Sequence, residues 1–144
     1  MDREPLLTRA QFDALVARDL PIAAQLGFRV DHLGHGHAVC RAPYSGSFLR
    51  PGGTIAGPVL MAVADYAMYA AVLSAIGEVA LAVTTNLNIN FLRKPAPADM
   101  LAEGKLLKLG KRLAVGEVTL FSTGEEEPVA HATLTYSIPP AERD

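Results

Sequence analysis

The chain contains almost no cysteine and no tryptophan, and its charges nearly cancel. Among 144 residues there is one cysteine, Cys40, which excludes an internal disulfide framework and a cysteine-based zinc site. The formal net charge is −2, without the clustered basic excess of nucleic-acid-binding proteins. Neither a GxxxxGK[ST] nor a GxGxxG phosphate loop occurs, so nucleotide hydrolysis and dinucleotide redox chemistry lack support. We expect no nucleic-acid partner and no cofactor.

The N-terminal residues also lack the pattern of a secretory signal. Residues 1–5 mix both charges, and no uninterrupted apolar segment follows them. Together with the single cysteine, this favours a cytoplasmic location. The length fits one domain, and 50% hydrophobic residues suffice for a sizeable core. We therefore predict a single domain over residues 1–144, with a helix and lead-in at 1–26 and the core at 27–140.

One long apolar run dominates the middle of the chain. Gly57–Ile76 contains a single charged residue, Asp65, and Gly77 follows as a helix C-cap. By length the run could span a bilayer, but a central aspartate opposes insertion and no Lys or Arg cluster flanks either end. The preferred interpretation is a helix surrounded by protein, with no membrane partner.

The remaining segments predict a short helix and several strands. A capping box formed by Thr8 and Gln11 opens a short helix that Pro21 ends. Residues 81–92 alternate strictly, with Thr84, Asn86, Asn88 and Asn90 on the polar face. A monomer would usually place Lys or Glu on such a face, so we expect a second subunit to cover it. The other predicted strands cover residues 28–33, 37–44, 100–109, 113–122 and 129–138.

One long helix before an antiparallel meander predicts an α+β fold in which five to six strands wrap a central helix. Three motifs accompany this order: Pro51-x-Gly53-Thr54-x-x-Gly57 followed by Asp65, Asn88-x-Asn90-Phe91-x-x-x-Pro95, and Gly110-Lys111-Arg112. In these features the chain resembles hotdog-fold acyl-CoA thioesterases of the phenylacetic-acid-degradation (PaaI-like) type. The resemblance implies an acyl-CoA substrate, with coenzyme A as part of the substrate, and a homodimer or homotetramer with active sites at the dimer interface.

Thioester hydrolysis requires a carboxylate or an activated water, and donors for the developing oxyanion. Asp65 is the only charged group of its helix, and we expect it to act as general base or nucleophile. Gly57 lies where the helix begins, with free N–H groups. The resemblance implies that its N–H binds the thioester carbonyl. A structural carboxylate and a simple helix-start glycine are the alternatives.

The sequence departs from the family pattern at three places. Ala56-Gly57-Pro58 replaces the usual His-Gly-Gly, Arg50 replaces an Asn or Gln, and Tyr69 replaces a small hydroxyl residue. Arg50 could bind an acidic acyl group or a phosphate, and we place Tyr69 with it in the substrate site. Further candidates for substrate binding are Arg93, Gly110, Lys111 and Arg112; solvated surface charge is the alternative for each cation.

Other reactive residues receive structural interpretations. His32, His35 and His37 cluster without a further metal ligand, so we expect no metal site. Cys40 has no obvious base partner, and His131 lies on a strand; both are expected to be structural. The sequence thus favours an acyl-CoA thioesterase. A non-catalytic acyl-CoA-binding or sensor protein is the alternative, which the missing His-Gly-Gly favours and Asp65 opposes.

Overall fold

The computed structural model describes residues 3–140, so residues 1–2 and 141–144 of the predicted domain lie outside it. A six-stranded antiparallel sheet has the order β1-β2-β6-β7-β8-β5, and β3 and β4 form a separate two-stranded ribbon. The central helix packs on this sheet, which confirms the predicted α+β hotdog class. The helices are α1 Arg9–Asp19, α2 Pro21–Gln25 and α3 Gly57–Ile76; the strands are β1 Arg29–Gly34, β2 His37–Ala42, β3 Leu49–Arg50, β4 Thr54–Ile55, β5 Val83–Phe91, β6 Met100–Leu109, β7 Leu113–Ser122 and β8 Ala130–Ser137.

The central helix α3 begins and ends where the sequence predicts. Gly77 ends it with a φ of 96°, and its N–H donates to the Leu73 carbonyl at 2.7 Å. By length and composition α3 could cross a membrane, yet 72% of its most apolar window is buried inside this fold. It is therefore the core helix of the domain.

Close packing of the sheet on α3 depends on two glycines. A Cβ on Gly104 would lie 3.1 Å from the Ala67 carbonyl oxygen, and one on Gly116 would lie 2.6 Å from the Met68 sulfur. Both distances are shorter than ordinary van der Waals contact. Because these two positions of β6 and β7 carry no side chain, α3 approaches the sheet closely. This close contact sets the orientation of the helix relative to β5 and β8.

The N-terminal segment differs from its prediction at Pro21. The capping box is present, since Thr8 Oγ1 accepts from the Gln11 N–H at 3.1 Å. However, Pro21 does not merely end α1; it begins α2, because proline suits the first turn of a helix. Phe12 of α1 packs edge-on against Tyr66 and at a tilt against Tyr69, at ring distances of 5.7 and 5.9 Å. These contacts hold α1 beside α3.

Strand β5 lies at a sheet edge and does not alternate strictly. Its register with β8 shifts between Thr84 and Asn86, which marks a bulge. The prediction that Thr84 shares a face with the asparagines is therefore wrong. Thr84 is half-buried on the side of Leu87 and Ile89, while Asn86, Asn88 and Asn90 are exposed. The bulge thus turns one hydroxyl toward α3.

Candidate active site

Asp65 lies in the middle of α3 and is half-buried. Its Oδ1 accepts two hydrogen bonds, from the Thr84 hydroxyl at 2.5 Å and from the Tyr136 hydroxyl at 2.8 Å. Within residues 3–140, no group donates to its Oδ2 and no cation pairs with the carboxylate. One oxygen is therefore fixed by two neutral donors, and the other remains for a water molecule or a substrate.

Tyr136 is held as a hydrogen-bond donor. It is 2% exposed, and burial, followed by the charge of Asp65, raises the pKa of its hydroxyl. The same hydroxyl also lies 3.1 Å from the Asp65 backbone carbonyl. Sequence reasoning missed both Tyr136 and Thr84. Their proximity to Asp65 depends on the pairing of β5 with β8 and on the bulge, neither of which leaves a local sequence signal.

The carboxylate opens into a pocket of about 440 Å³, here called the Asp65 pocket. Its walls come from the α1–α2 junction, Phe28, one face of α3, the 80–84 segment and Tyr136. Tyr69 also lines it and is held by a hydrogen bond from its hydroxyl to the Ala80 carbonyl, at 2.9 Å. The pocket therefore presents one carboxylate among mainly apolar and aromatic side chains.

Gly57 opens into a different pocket of about 370 Å³, here called the Gly57 pocket, which is lined by Arg50, Thr54, Arg93 and Lys94 among others. The β3–β4 ribbon pairs Arg50 with Thr54 and so places the arginine near the start of α3. In the described part of the chain, no backbone carbonyl accepts the Gly57 N–H. This helix start therefore combines a free donor, the positive end of the helix dipole and nearby cations.

Asp65 and Gly57 do not meet within one chain. They are eight residues apart on a continuous helix, a separation of about 12 Å along its axis. Their pockets have no lining residue in common. A single thioester group is too small to touch both in one subunit.

The thioesterase superfamily profile matches residues 52–129, which include both candidate groups. The chain belongs to this superfamily. A "putative thioesterase" structure from Silicibacter sp. TM1040 is 44% identical, with 95% of each chain covered and a TM-score of 0.86. A mutant of phenylacetic acid degradation protein PaaI from Thermus thermophilus is 28% identical, covering 83% of this chain and 99% of that one, with a TM-score of 0.73.

A curated "putative esterase" from Saccharolobus solfataricus is 33% identical over 93 residues, which are 65% of this chain and 66% of that protein. Taken with the fold, these matches confirm the resemblance to hotdog thioesterases of the PaaI type. They support a thioesterase-like hydrolase activity for this superfamily member.

Three of the remaining predicted substrate-binding residues lie apart from both pockets of this thioesterase-superfamily chain. Gly110, Lys111 and Arg112 form the exposed β6–β7 hairpin, closed by a hydrogen bond from the Gly110 N–H to the Leu113 carbonyl at 2.8 Å. They line neither the Asp65 pocket nor the Gly57 pocket. Arg93 lines the latter but is partly engaged, since it lies 2.7 Å from Glu127. The role of the hairpin stays a prediction.

Reactive side chains elsewhere are either paired with a carboxylate or buried. His37 and His131 lie 2.9 and 2.8 Å from Glu103 and Glu117 respectively. The hydrogen bond from His131 lowers the pKa of Glu117. Cys40 is fully buried, and burial raises the pKa of its thiol, so it is a poor nucleophile. Across residues 3–140, no cluster of three or more His, Cys, Asp or Glu could hold a metal ion.

Proposed function

We propose that this protein hydrolyses acyl-CoA thioesters to the free acid and coenzyme A, as a homodimer or a pair of dimers in the cytoplasm. The observation that supports this most is the Asp65 carboxylate. Two neutral hydroxyls hold one of its oxygens, while the other faces no donor among the described residues. In a thioesterase-superfamily chain, this is the arrangement that general-base or nucleophilic catalysis requires.

In the general-base route, Asp65 Oδ2 takes a proton from a water molecule, and the water oxygen attacks the thioester carbon. The carbon–sulfur bond of the tetrahedral intermediate then breaks, and the CoA thiolate leaves with the proton returned by Asp65. In the nucleophilic route Oδ2 attacks the carbon directly, and the carbon–sulfur bond breaks to release the CoA thiolate and leave an anhydride between Asp65 and the acyl group. Water then hydrolyses this anhydride to the free acid and the Asp65 carboxylate, and the proton released from the water protonates the thiolate. Thr84 and Tyr136 act as positioning residues in both routes, because they fix Oδ1 and so orient Oδ2.

The oxyanion donor in this proposal is Gly57 of the partner subunit. Because about 12 Å of helix separates Asp65 from the Gly57 N–H in one chain, a site using both needs two chains. The exposed edge strand β5 offers a surface for such pairing, with Val83 and Phe91 57% and 52% exposed at its ends. Two identical sites then form, each with one pocket from each subunit.

The Gly57 pocket supplies the binding site for coenzyme A in this proposal. Arg50, Arg93 and Lys94 line it, and cations of this kind bind phosphate groups. Arg50 is exposed and forms no salt bridge within the described residues, so it is available for a ligand. Lys111 and Arg112 remain candidates for a more distant phosphate contact.

A non-catalytic acyl-CoA-binding protein is the second candidate, and the start of α3 favours it. Ala56 offers no polar side chain where the family places histidine, and Pro58 removes the next backbone donor. The Gly57 N–H therefore stands alone as an oxyanion donor at this end of the helix. Such a protein would bind acyl-CoA tightly without turning it over.

Hydrolysis by the wild type and Asp65→Asn decides between these functions. A thiol-reactive chromophore detects the released CoA without a background from the protein, because the single cysteine is buried. We expect the asparagine variant to lose about 10²- to 10⁴-fold in kcat, since the base is removed while the hydrogen-bonding shape is kept. Asp13→Asn, at an exposed position of α1, is the matched control. Equal rates for the wild type and Asp65→Asn would remove Asp65 from the mechanism; binding without turnover by the wild type would support the sensor.

A further inference from the structure

We infer that the Asp65 pocket takes an uncharged aliphatic acyl chain of medium length, about eight to twelve carbons, as judged from pocket volume at protein packing density. This inference rests on the proposed function and names its substrate class. It follows from the charge, the volume and the rim of the pocket.

The charge of the pocket excludes anionic acyl groups. Its charged lining residues are Asp19 and Asp65, both acidic, and within the described residues no Lys, Arg or His lines it. Asp19 is already paired with Arg18 at 3.0 Å. The tyrosines remain neutral, because burial raises the pKa of Tyr66, Tyr69 and Tyr136. A carboxylate on the acyl group would therefore lie near two carboxylates of the protein, with no cation in the pocket to pair with it.

The volume of the pocket favours a chain longer than acetyl or butyryl. One methylene occupies about 27 Å³ at the packing density of protein interiors. Within one subunit the pocket holds about 440 Å³, so a phenylacetyl group would fill roughly a third of it. After allowance for the thioester and an attacking water molecule, about eight to twelve carbons fill the remainder.

The rim of the pocket is apolar, as are its walls. Ile22 of α2 and Leu81 before β5 both line it and are 59% and 79% exposed. Deeper in the pocket, Ala23 and Ala82 are buried, and their small side chains leave the space open. An acyl chain that contacts both rim and walls removes apolar surface from water on the ligand and on the protein, which drives binding.

The test measures binding and hydrolysis separately. S-alkyl-CoA thioethers from ethyl to dodecyl cannot be hydrolysed, so calorimetry with the wild type reports acyl recognition alone. We expect affinity to rise about fourfold per added methylene up to the decyl compound, following the free energy of burying a methylene. An S-alkyl chain of equal length that ends in a carboxylate is expected to bind at least tenfold more weakly. Flat affinity from ethyl to decyl, or equal binding of the carboxylate, would overturn the inference.

A substitution that fills part of the Asp65 pocket tests the same assignment from the protein side. Ala62, one turn before Asp65, lines the pocket and is half-buried. Ala62→Leu is expected to weaken decyl-CoA binding at least tenfold while changing butyl-CoA binding less than threefold. Ala98→Leu, half-buried outside both pockets, is the control. An equal loss for both thioethers in Ala62→Leu would contradict the assignment of this pocket to the chain.

The two proposals fail in different ways. If the chain-length dependence appears in thioether binding while no acyl-CoA is hydrolysed, the acyl assignment stands and the catalytic function fails. If acyl-CoAs are hydrolysed with no preference for the aliphatic chain, the function stands and the acyl assignment fails.

Discussion

The Asp65 pocket is lined mainly by apolar and aromatic side chains around one carboxylate, whereas the Gly57 pocket combines three cations with the free end of a helix. Both are lined by the same helix, at Asp65 and Gly57, which lie about 12 Å apart along its axis. In the proposed function, this difference corresponds to the two ends of an acyl-CoA, an apolar acyl group and a polyanionic carrier. A single helix then presents both recognition surfaces, but at positions that one thioester can reach together only when two subunits combine.

The Gly57 pocket is tested most strongly by removing its backbone donor. Gly57→Pro deletes the N–H yet suits a helix start, and its Cβ would meet the Phe91 ring at an ordinary 3.4 Å. We expect kcat to fall about 10²- to 10³-fold, as for loss of an oxyanion donor. Gly57→Ala introduces the same Cβ and keeps the N–H, so its kcat stays within about threefold. If both variants keep wild-type rates, the helix start is not the oxyanion site.

In the Asp65 pocket, a smaller effect is expected from the positioning residue Tyr136. Tyr136→Phe removes one of the two donors to Oδ1, and the loss of one such hydrogen bond corresponds to about a tenfold decrease in kcat. KM for butyryl-CoA is expected to stay unchanged, because the hydroxyl orients the base rather than the substrate. Tyr44→Phe, at an exposed position, serves as control. A change confined to KM would assign Tyr136 to substrate binding instead.

The smallest effect is expected from removing a cation of the Gly57 pocket. Arg50→Gln is expected to raise KM for acyl-CoA about three- to tenfold with little change in kcat, because an exposed charge contact is weak. The difference from the wild type decreases at high salt, which screens such contacts. Lys108→Gln removes an exposed cation of β6 and leaves KM unchanged. Should Arg50→Gln also leave KM unchanged at low salt, the Gly57 pocket would not hold the phosphates.

Features set by local sequence were predictable. The bounds of α3 follow from an apolar run closed by Gly77, and the Thr8 capping box follows from residue spacing. The neighbours of Asp65 were not predictable in this way. Thr84 reaches the carboxylate because a bulge reverses the local alternation of β5, and Tyr136 does so from a strand 71 residues away. Such contacts depend on the register between strands that are distant in sequence. The alternation of apolar and polar residues within one strand does not predict that register.

The local geometry around Arg50 was also unpredictable, for a different reason. The sequence indicates a glycine-rich loop at this point, whereas the structure pairs Leu49–Arg50 with Thr54–Ile55 around Gly52 and Gly53. Both glycines have positive φ, 98° and 76°, which closes a tight turn. This ribbon brings Arg50 beside the start of α3, so a loop residue becomes part of a pocket.

Complementation between two inactive subunits tests the central claim, that each site joins Asp65 of one chain to Gly57 of the partner subunit. Asp65→Asn and Gly57→Pro chains carrying different affinity tags are co-expressed, and the mixed species is purified through both tags. A mixed dimer contains one site with both defects and one site with neither. We predict that it recovers about half of the wild-type activity, which is far above either parent variant at the 10²-fold or greater losses expected for them. A mixed dimer as inactive as its parents would contradict the shared site.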